Sequence, residues 1–144
     1  SRIQYADSTD LSNWTNKGNT SVTRGEGPVV FRWKDKWWMI HDIWDGLEVS
    51  TSTDLTNWTK QEKPILKEPG TRPTDRAKGQ HPDVIVRNGR AFIVYFTHQE
   101  NEPENATDRR WRNHTVLHAA ELKEEGGVIT VDRNAPTWLD LGID

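Results

Sequence analysis

The chain has no cysteine in 144 residues, so disulfides and thiolate metal sites are excluded, while the redox compartment stays open. No apolar run approaches the eighteen or so residues that would span a membrane as a helix, and none is expected. No export signal precedes Ser1, so a periplasmic or secreted location is the expectation if such a segment has been removed. An excess of positive charge is lacking too: 19 Lys and Arg stand against 22 Asp and Glu, and the resulting −3, spread along the chain, argues against a nucleic-acid partner. No Walker-type loop, zinc spacing or Ser-His-Asp order appears. Phe and Tyr are scarce, at three and two, yet there are eight Trp. Trp supplies large area plus one donor that needs a partner, and its ring suits both sheet packing and stacking on sugars. With 33 % hydrophobic and 28 % charged residues, the length fits one globular domain whose core is concentrated in a few strands.

What is present is a succession of short strands. From Glu26 to Trp58 the chain reads Val29 to Trp33, a turn at Lys34 to Lys36, Trp37 to Trp44, and Leu47 to Thr51, all rich in Val, Ile and Trp and cut by polar turns. The middle run is almost continuously apolar, which predicts burial on both of its faces. Residues 8–14, STDLSNW, recur at 52–58 as STDLTNW, an offset of 44 residues. In each copy the Asp is expected to cap free backbone amides and the Trp to pack between neighbouring sheets. A further unit opens at His81, with Asn88-Gly89 as the strongest hairpin signal, His114 to Leu122 as a third strand, Gly126-Gly127 as a turn and Val128 to Val131 as a fourth strand. Ala119 to Glu125 has helical composition but β-branched flanks, and no helix is predicted. The units are the outer half of one (1–18), a full one (26–66) and another (81–133), with a C-terminal extension (134–144). The linker 66–80 and the polar loop 99–113 are long enough to be functional or mobile. Five Asn-x-Ser/Thr triplets, at Asn13, Asn19, Asn57, Asn105 and Asn113, suit a chain rich in Thr and Asn without any glycosylation.

Glu26-Gly27-Pro28 ahead of a strand, Trp37-Trp38-Met39-Ile40, Gly46-Leu47 followed by STDLTNW, Lys78-Gly79-Gln80-His81-Pro82-Asp83, Tyr95-Phe96-Thr97-His98 and Ala120-Glu121-Leu122 cover nearly the whole chain. In that order they resemble a five-bladed β-propeller glycosidase, most similar to glycoside hydrolase family 43 and related bacterial hydrolases. The resemblance implies an all-β fold of about two and a half four-stranded antiparallel blades, and a glycosidase acting on oligo- or polysaccharide by inversion. It makes Glu26 the general acid and His81 the central histidine, beside ordered water or a structural calcium ion; no other cofactor is implied. The family's base and supporting Asp belong to earlier blades that this sequence does not match. The general base is therefore expected outside the chain, with a homo-oligomer or an N-terminal half as partner. The alternative is a non-catalytic carbohydrate-binding or scaffolding fragment.

Inversion requires one carboxylic acid to protonate the leaving oxygen and one carboxylate to activate water, about 6.5–9.5 Å apart. Glu26 supplies one of the two, or else hydrogen-bonds a turn. Asp42 and Trp44, two apart on one strand, are predicted to share a face. There Asp42 tunes Glu26 or binds a hydroxyl and Trp44 stacks on sugar, or the pair serves a cross-sheet ion pair and the core. By the same alternation His81 and Asp83 share a face as substrate or metal ligands, although calcium prefers oxygen. His98 reaches the same channel or is structural. Arg110, in the cluster Arg109, Arg110 and Arg112, reads a substrate carboxylate or pairs with the loop's own acids.

Overall fold

A computed structural model describes residues 2–139, so residues 140–144 of the expected C-terminal extension lie outside the described residues. The ten strands are β1 (Gln4–Asp7), β2 (Thr15–Asn19), β3 (Glu26–Trp33), β4 (Lys36–Asp42), β5 (Leu47–Ser52), β6 (Thr59–Lys60), β7 (Gln80–Arg87), β8 (Arg90–His98), β9 (Thr115–Glu125) and β10 (Val128–Val131). They form an antiparallel pair, β1-β2, and two four-stranded antiparallel meanders, β3-β4-β5-β6 and β7-β8-β9-β10. Among the described residues there is no α-helix, and two 3-10 turns, Gln99–Asn101 and Arg109–Trp111, lie in the long polar loop.

The turns explain the meander. Asn88 and Gly89 have φ of 49° and 75°, and Lys34 and Asp35 have 49° and 61°. Two consecutive positive φ values make the tight turn whose twist matches the strands it joins. The helical composition of 119–125 is overridden by pairing: Ala119, Ala120 and Glu121 lie opposite Val94, Ile93 and Phe92.

The apolar run of β4 is buried on both faces, as its composition predicted. Trp38 and Ile40 join Phe31, Trp33, Leu47 and Val49 against Ala91, Ile93, Tyr95, Ala120, Leu122 and Ile129 of the second meander. On the other side Met39 meets Ile3, Val22 and the half-buried Trp58. The buried indoles satisfy their donors on backbone carbonyls, Trp33 Nε1 on Gly89 and Trp38 Nε1 on Trp33, both at 2.9 Å.

The 44-residue repeat is carried through to atomic detail. Ala6 pairs with Asn16 and Asp7 with Thr15, as Ser50 pairs with Lys60 and Thr51 with Thr59. Asp10 and Asp54 each accept two backbone N–H groups and an Asn side chain, while Leu11 and Leu55 sit at φ of 61° and 64°. The copies differ in their Trp: Trp58 packs between sheets as expected, whereas Trp14 remains 60 % exposed.

The linker 66–80 is packed. Asp75, fully buried, accepts from Tyr95 Oη at 2.9 Å, from Arg72 at 3.0 Å and from Arg133, whose guanidinium also donates to the carbonyls of Glu68 and Ala77. Arg76 donates its backbone N–H to buried Glu102 at 2.6 Å and ion-pairs with Glu104, which ties the linker to the long polar loop. This network delivers the chain to the start of β7.

Candidate active site

β3 and β7, the first strands of the two meanders, run side by side, and both begin with the same irregularity. The register jumps from Glu26 to Val29 and from Gln80 to Asp83, so Gly27-Pro28 and His81-Pro82 are equivalent bulges with φ of 53° at Gly27 and 41° at His81. A bulge bends the strand and re-aims its side chains. Here it turns the His81 ring toward β3. A Cβ on Gly27 would lie 3.0 Å from His81 Nδ1, so only glycine permits both that backbone angle and that approach.

Glu26 is directly opposite Asp42, the last residue of β4. Its Oε1 accepts from Trp44 Nε1 at 2.8 Å and faces His81 Nε2 at 3.3 Å. The Glu26 and His81 side chains are 43 % and 46 % exposed. Asp42, in contrast, has no exposed surface; its Oδ1 accepts from Trp44 N at 2.6 Å and its Oδ2 from His81 N at 3.3 Å. Trp44 is braced from outside by Lys78, which donates to its carbonyl at 2.8 Å, and by the Arg24 guanidinium, 5.4 Å above its ring centre. Arg24 did not stand out in the sequence, because nothing local distinguishes it from other surface cations, and Lys78 entered only as part of the motif that leads into His81.

Two expectations need correction. β4 ends at Asp42 rather than Trp44, and Trp44 has a left-handed φ of 61°, so strand alternation does not relate the two. The indole reaches Glu26 because the chain has already turned. Likewise the bulge breaks the alternation between His81 and Asp83. Asp83 lies outside the cluster, is exposed, and gives its Oδ1 to the Val84 N–H at 2.8 Å. His98 reaches the cluster through rings: it meets Phe96 edge-on at 5.2 Å, and Phe96 stacks on His81 at 5.4 Å. Arg110 forms a fork with Asp108, at 2.6 Å for its shortest bond, in the exposed loop.

Ligand atoms of Glu26, Asp42 and His81 fall within 4.8 Å of one another. As a calcium site the set does not fit. Calcium takes six to eight oxygens, whereas here one donor is an imidazole and both Asp42 oxygens already hold backbone amides. Asp42 does not fit as the second carboxylate of an inverting pair either, being buried and closer to Glu26 than the interposed water requires.

Solved structures similar to this chain include glycoside hydrolases of two families. Bombyx mori GH32 beta-fructofuranosidase BmSUC1 aligns with a TM-score of 0.59 at 15 % identity, over 91 % of this chain and 31 % of that one. A mutant of BmSUC1 in complex with sucrose gives 0.57 at 13 %, over 91 % and 31 %. A thermostable family-43 glycoside hydrolase gives 0.52 at 20 %, over 78 % and 37 %. The chain spans about a third of the length of these proteins and shares the fold of part of their propellers. No protein-family model matches it, and no curated protein does.

Proposed function

We propose that the chain forms part of a glycoside hydrolase that cleaves oligo- or polysaccharide by inversion, with Glu26 as the general acid. The observation that carries this reading is the presentation of Glu26: a half-exposed carboxyl held through Oε1 by Trp44 and His81, with no hydrogen bond to Oε2 among the described residues. Oε2 then carries the proton to the glycosidic oxygen as the bond to the anomeric carbon breaks, and a base carboxylate from outside the described residues takes the proton of the attacking water. Trp44, His81 and, through Phe96, His98 line the sugar's approach. Asp83 and Arg110, engaged elsewhere, take no part.

Aryl glycosides test it. Glu26→Gln is expected to lower turnover about 10²–10⁴-fold, and less for a substrate whose leaving group needs no proton. Among the described residues Asp42 is the only carboxylate clustered with Glu26, and it is unsuited to act as base. That favours, as a second reading, a module that binds carbohydrate without cleaving it. No turnover, with sugar binding retained and indifferent to Glu26→Gln, selects the second reading.

A partner belongs to the same proposal. β1 repeats β5 in register, and β5 is flanked by β4 whereas β1 has no second neighbour among the described residues. A strand from a second copy, or from an N-terminal half, fills that place. A monodisperse monomer by light scattering argues against the second copy.

A further inference from the structure

We propose that Asp42 is the positioning residue of this site, acting on Glu26 through two backbone amides and never touching the sugar. The inference rests on Glu26 being the reacting group, but the geometry behind it does not. A carboxylate without exposed surface persists only if its oxygens are paired. Asp42 uses one oxygen on the Trp44 N–H, at 2.6 Å, and the other on the His81 N–H, at 3.3 Å. Those amides belong to two different segments, the turn after β4 and the bulge that opens β7, so one side chain pins the first meander to the second.

The residues so held share a second property. Trp44 and His81 have φ of 61° and 41°, in the left-handed region that bulky side chains avoid. Such a conformation survives where surrounding contacts over-determine it. Both also aim their side chains at the same atom, Glu26 Oε1, at 2.8 and 3.3 Å. Asp42 thus supports two strained backbones, and each presents a ring nitrogen to the carboxyl that lies opposite Asp42 across the strand pair. Removing its negative charge, or one acceptor, lets both turns relax and Glu26 lose its orientation.

The decisive variant is Asp42→Asn. It keeps the volume but offers one oxygen, so one of the two amides faces an NH₂ group. Two readouts apply. In ¹⁵N spectra, with Trp44 identified from Trp44→Phe, the Trp44 indole N–H signal is expected to move toward its position in Glu26→Gln, while the signals of the core residues Trp33 and Trp38 stay in place. On an aryl glycoside, kcat is expected to fall about 10²-fold, the scale of a roughly 1 Å misplacement, with KM within about threefold.

An unmoved Trp44 signal, or a higher KM at wild-type kcat, overturns the proposal; the latter identifies a sugar contact. Should Asp42→Asn fail to fold, amide hydrogen exchange in the unmodified protein decides. The Trp44 and His81 N–H groups are expected to be protected like those of β4, and exchange at the open-loop rate refutes the clamp. The spectroscopic arms need no substrate, so a wild-type protein that cleaves nothing rejects the glycosidase reading and leaves this one to be judged separately.

Discussion

The indole N–H of Trp44 and the carboxylate of Glu26 are 2.8 Å apart, although 18 residues and two strand ends separate them in the chain. A hydrogen bond to a carboxylate is worth about 1.5–3 kcal/mol when well enclosed, and the lower end suits this half-exposed pair. Trp44→Phe keeps the ring and removes the donor. It is expected to lower kcat/KM on an aryl glycoside about tenfold, whereas Trp44→Ala, which also removes the stacking surface, should raise KM as well. A Trp44→Phe protein with wild-type kcat/KM would mean that the N–H has no role, and equal losses in the two variants would mean that the ring surface adds nothing.

Gly27→Ala probes the bulge. The new methyl would require a left-handed alanine and would meet the His81 ring at 3.0 Å, where the ring is already stacked on Phe96. A cost of about 1–3 kcal/mol is expected, read as a lowered denaturation midpoint, together with loss of activity. An unchanged midpoint would show that the bulge has room to spare.

The linker network predicts a larger effect away from the site. Asp75→Ala leaves the nearly buried Arg133 guanidinium without its carboxylate partner. Breaking a buried pair from one side costs about 3–5 kcal/mol, and calorimetry should show it plainly. The stronger Arg133→Met, Asp75→Leu double replacement should recover part of that loss, since no lone charge remains buried.

Stability is expected to fall in two stages on acidification. Burial holds His41 below the ordinary histidine value, with Glu48 offsetting only part of the effect. The unfolded chain therefore binds this proton more readily, and stability present above about pH 6.5 is lost as the pH drops through the folded value. For Asp75, burial pushes upward but hydrogen bonds from Arg133 and Arg72 prevail, so it lies below the ordinary carboxylate value. The Arg90 fork brings Glu121 down to about 2. Both contribute stability above about pH 4 that disappears below it. His41→Gln should abolish the first stage and leave the second, as followed by thermal midpoint between pH 7 and pH 3.

Most of the strand pattern was legible because it is local: Asn88-Gly89 encodes its own turn, the run Trp38-Met39-Ile40 reports two buried faces, and STDLSNW and STDLTNW fold alike because each Asp finds its amides within three residues. Glu26, Trp44 and His81 were also singled out. Their relationship was not legible, since it depends on two positive-φ positions occupied by Trp and His rather than by glycine. Alternation fails at such points, which is why Asp83 was expected to share a face with His81 and Asp42 to share one with Trp44. The packing of the linker was hidden for a different reason: Asp75 meets Arg133 across 58 residues, and a polar linker gives no sign of a buried ion pair.

The repeat allows one comparison of two tryptophans that differ in little but their neighbours. Trp58 and Trp14 close the same turn, each donating Nε1 to the carbonyl three residues back, at 3.1 and 3.2 Å. Trp58 also covers Ile3, Val22 and Met39, whereas Trp14 is 60 % exposed. Trp58→Ala should therefore cost about 2–4 kcal/mol as a large side chain leaving a packed cluster, and Trp14→Ala less than about 0.5 kcal/mol as a surface change. If a neighbouring strand docks beside β1 as proposed, Trp14 becomes its counterpart of Trp58, and Trp14→Ala should weaken association in sedimentation while sparing the monomer's midpoint. A Trp14→Ala protein that unfolds like Trp58→Ala would mean that this indole is already covered in the isolated chain.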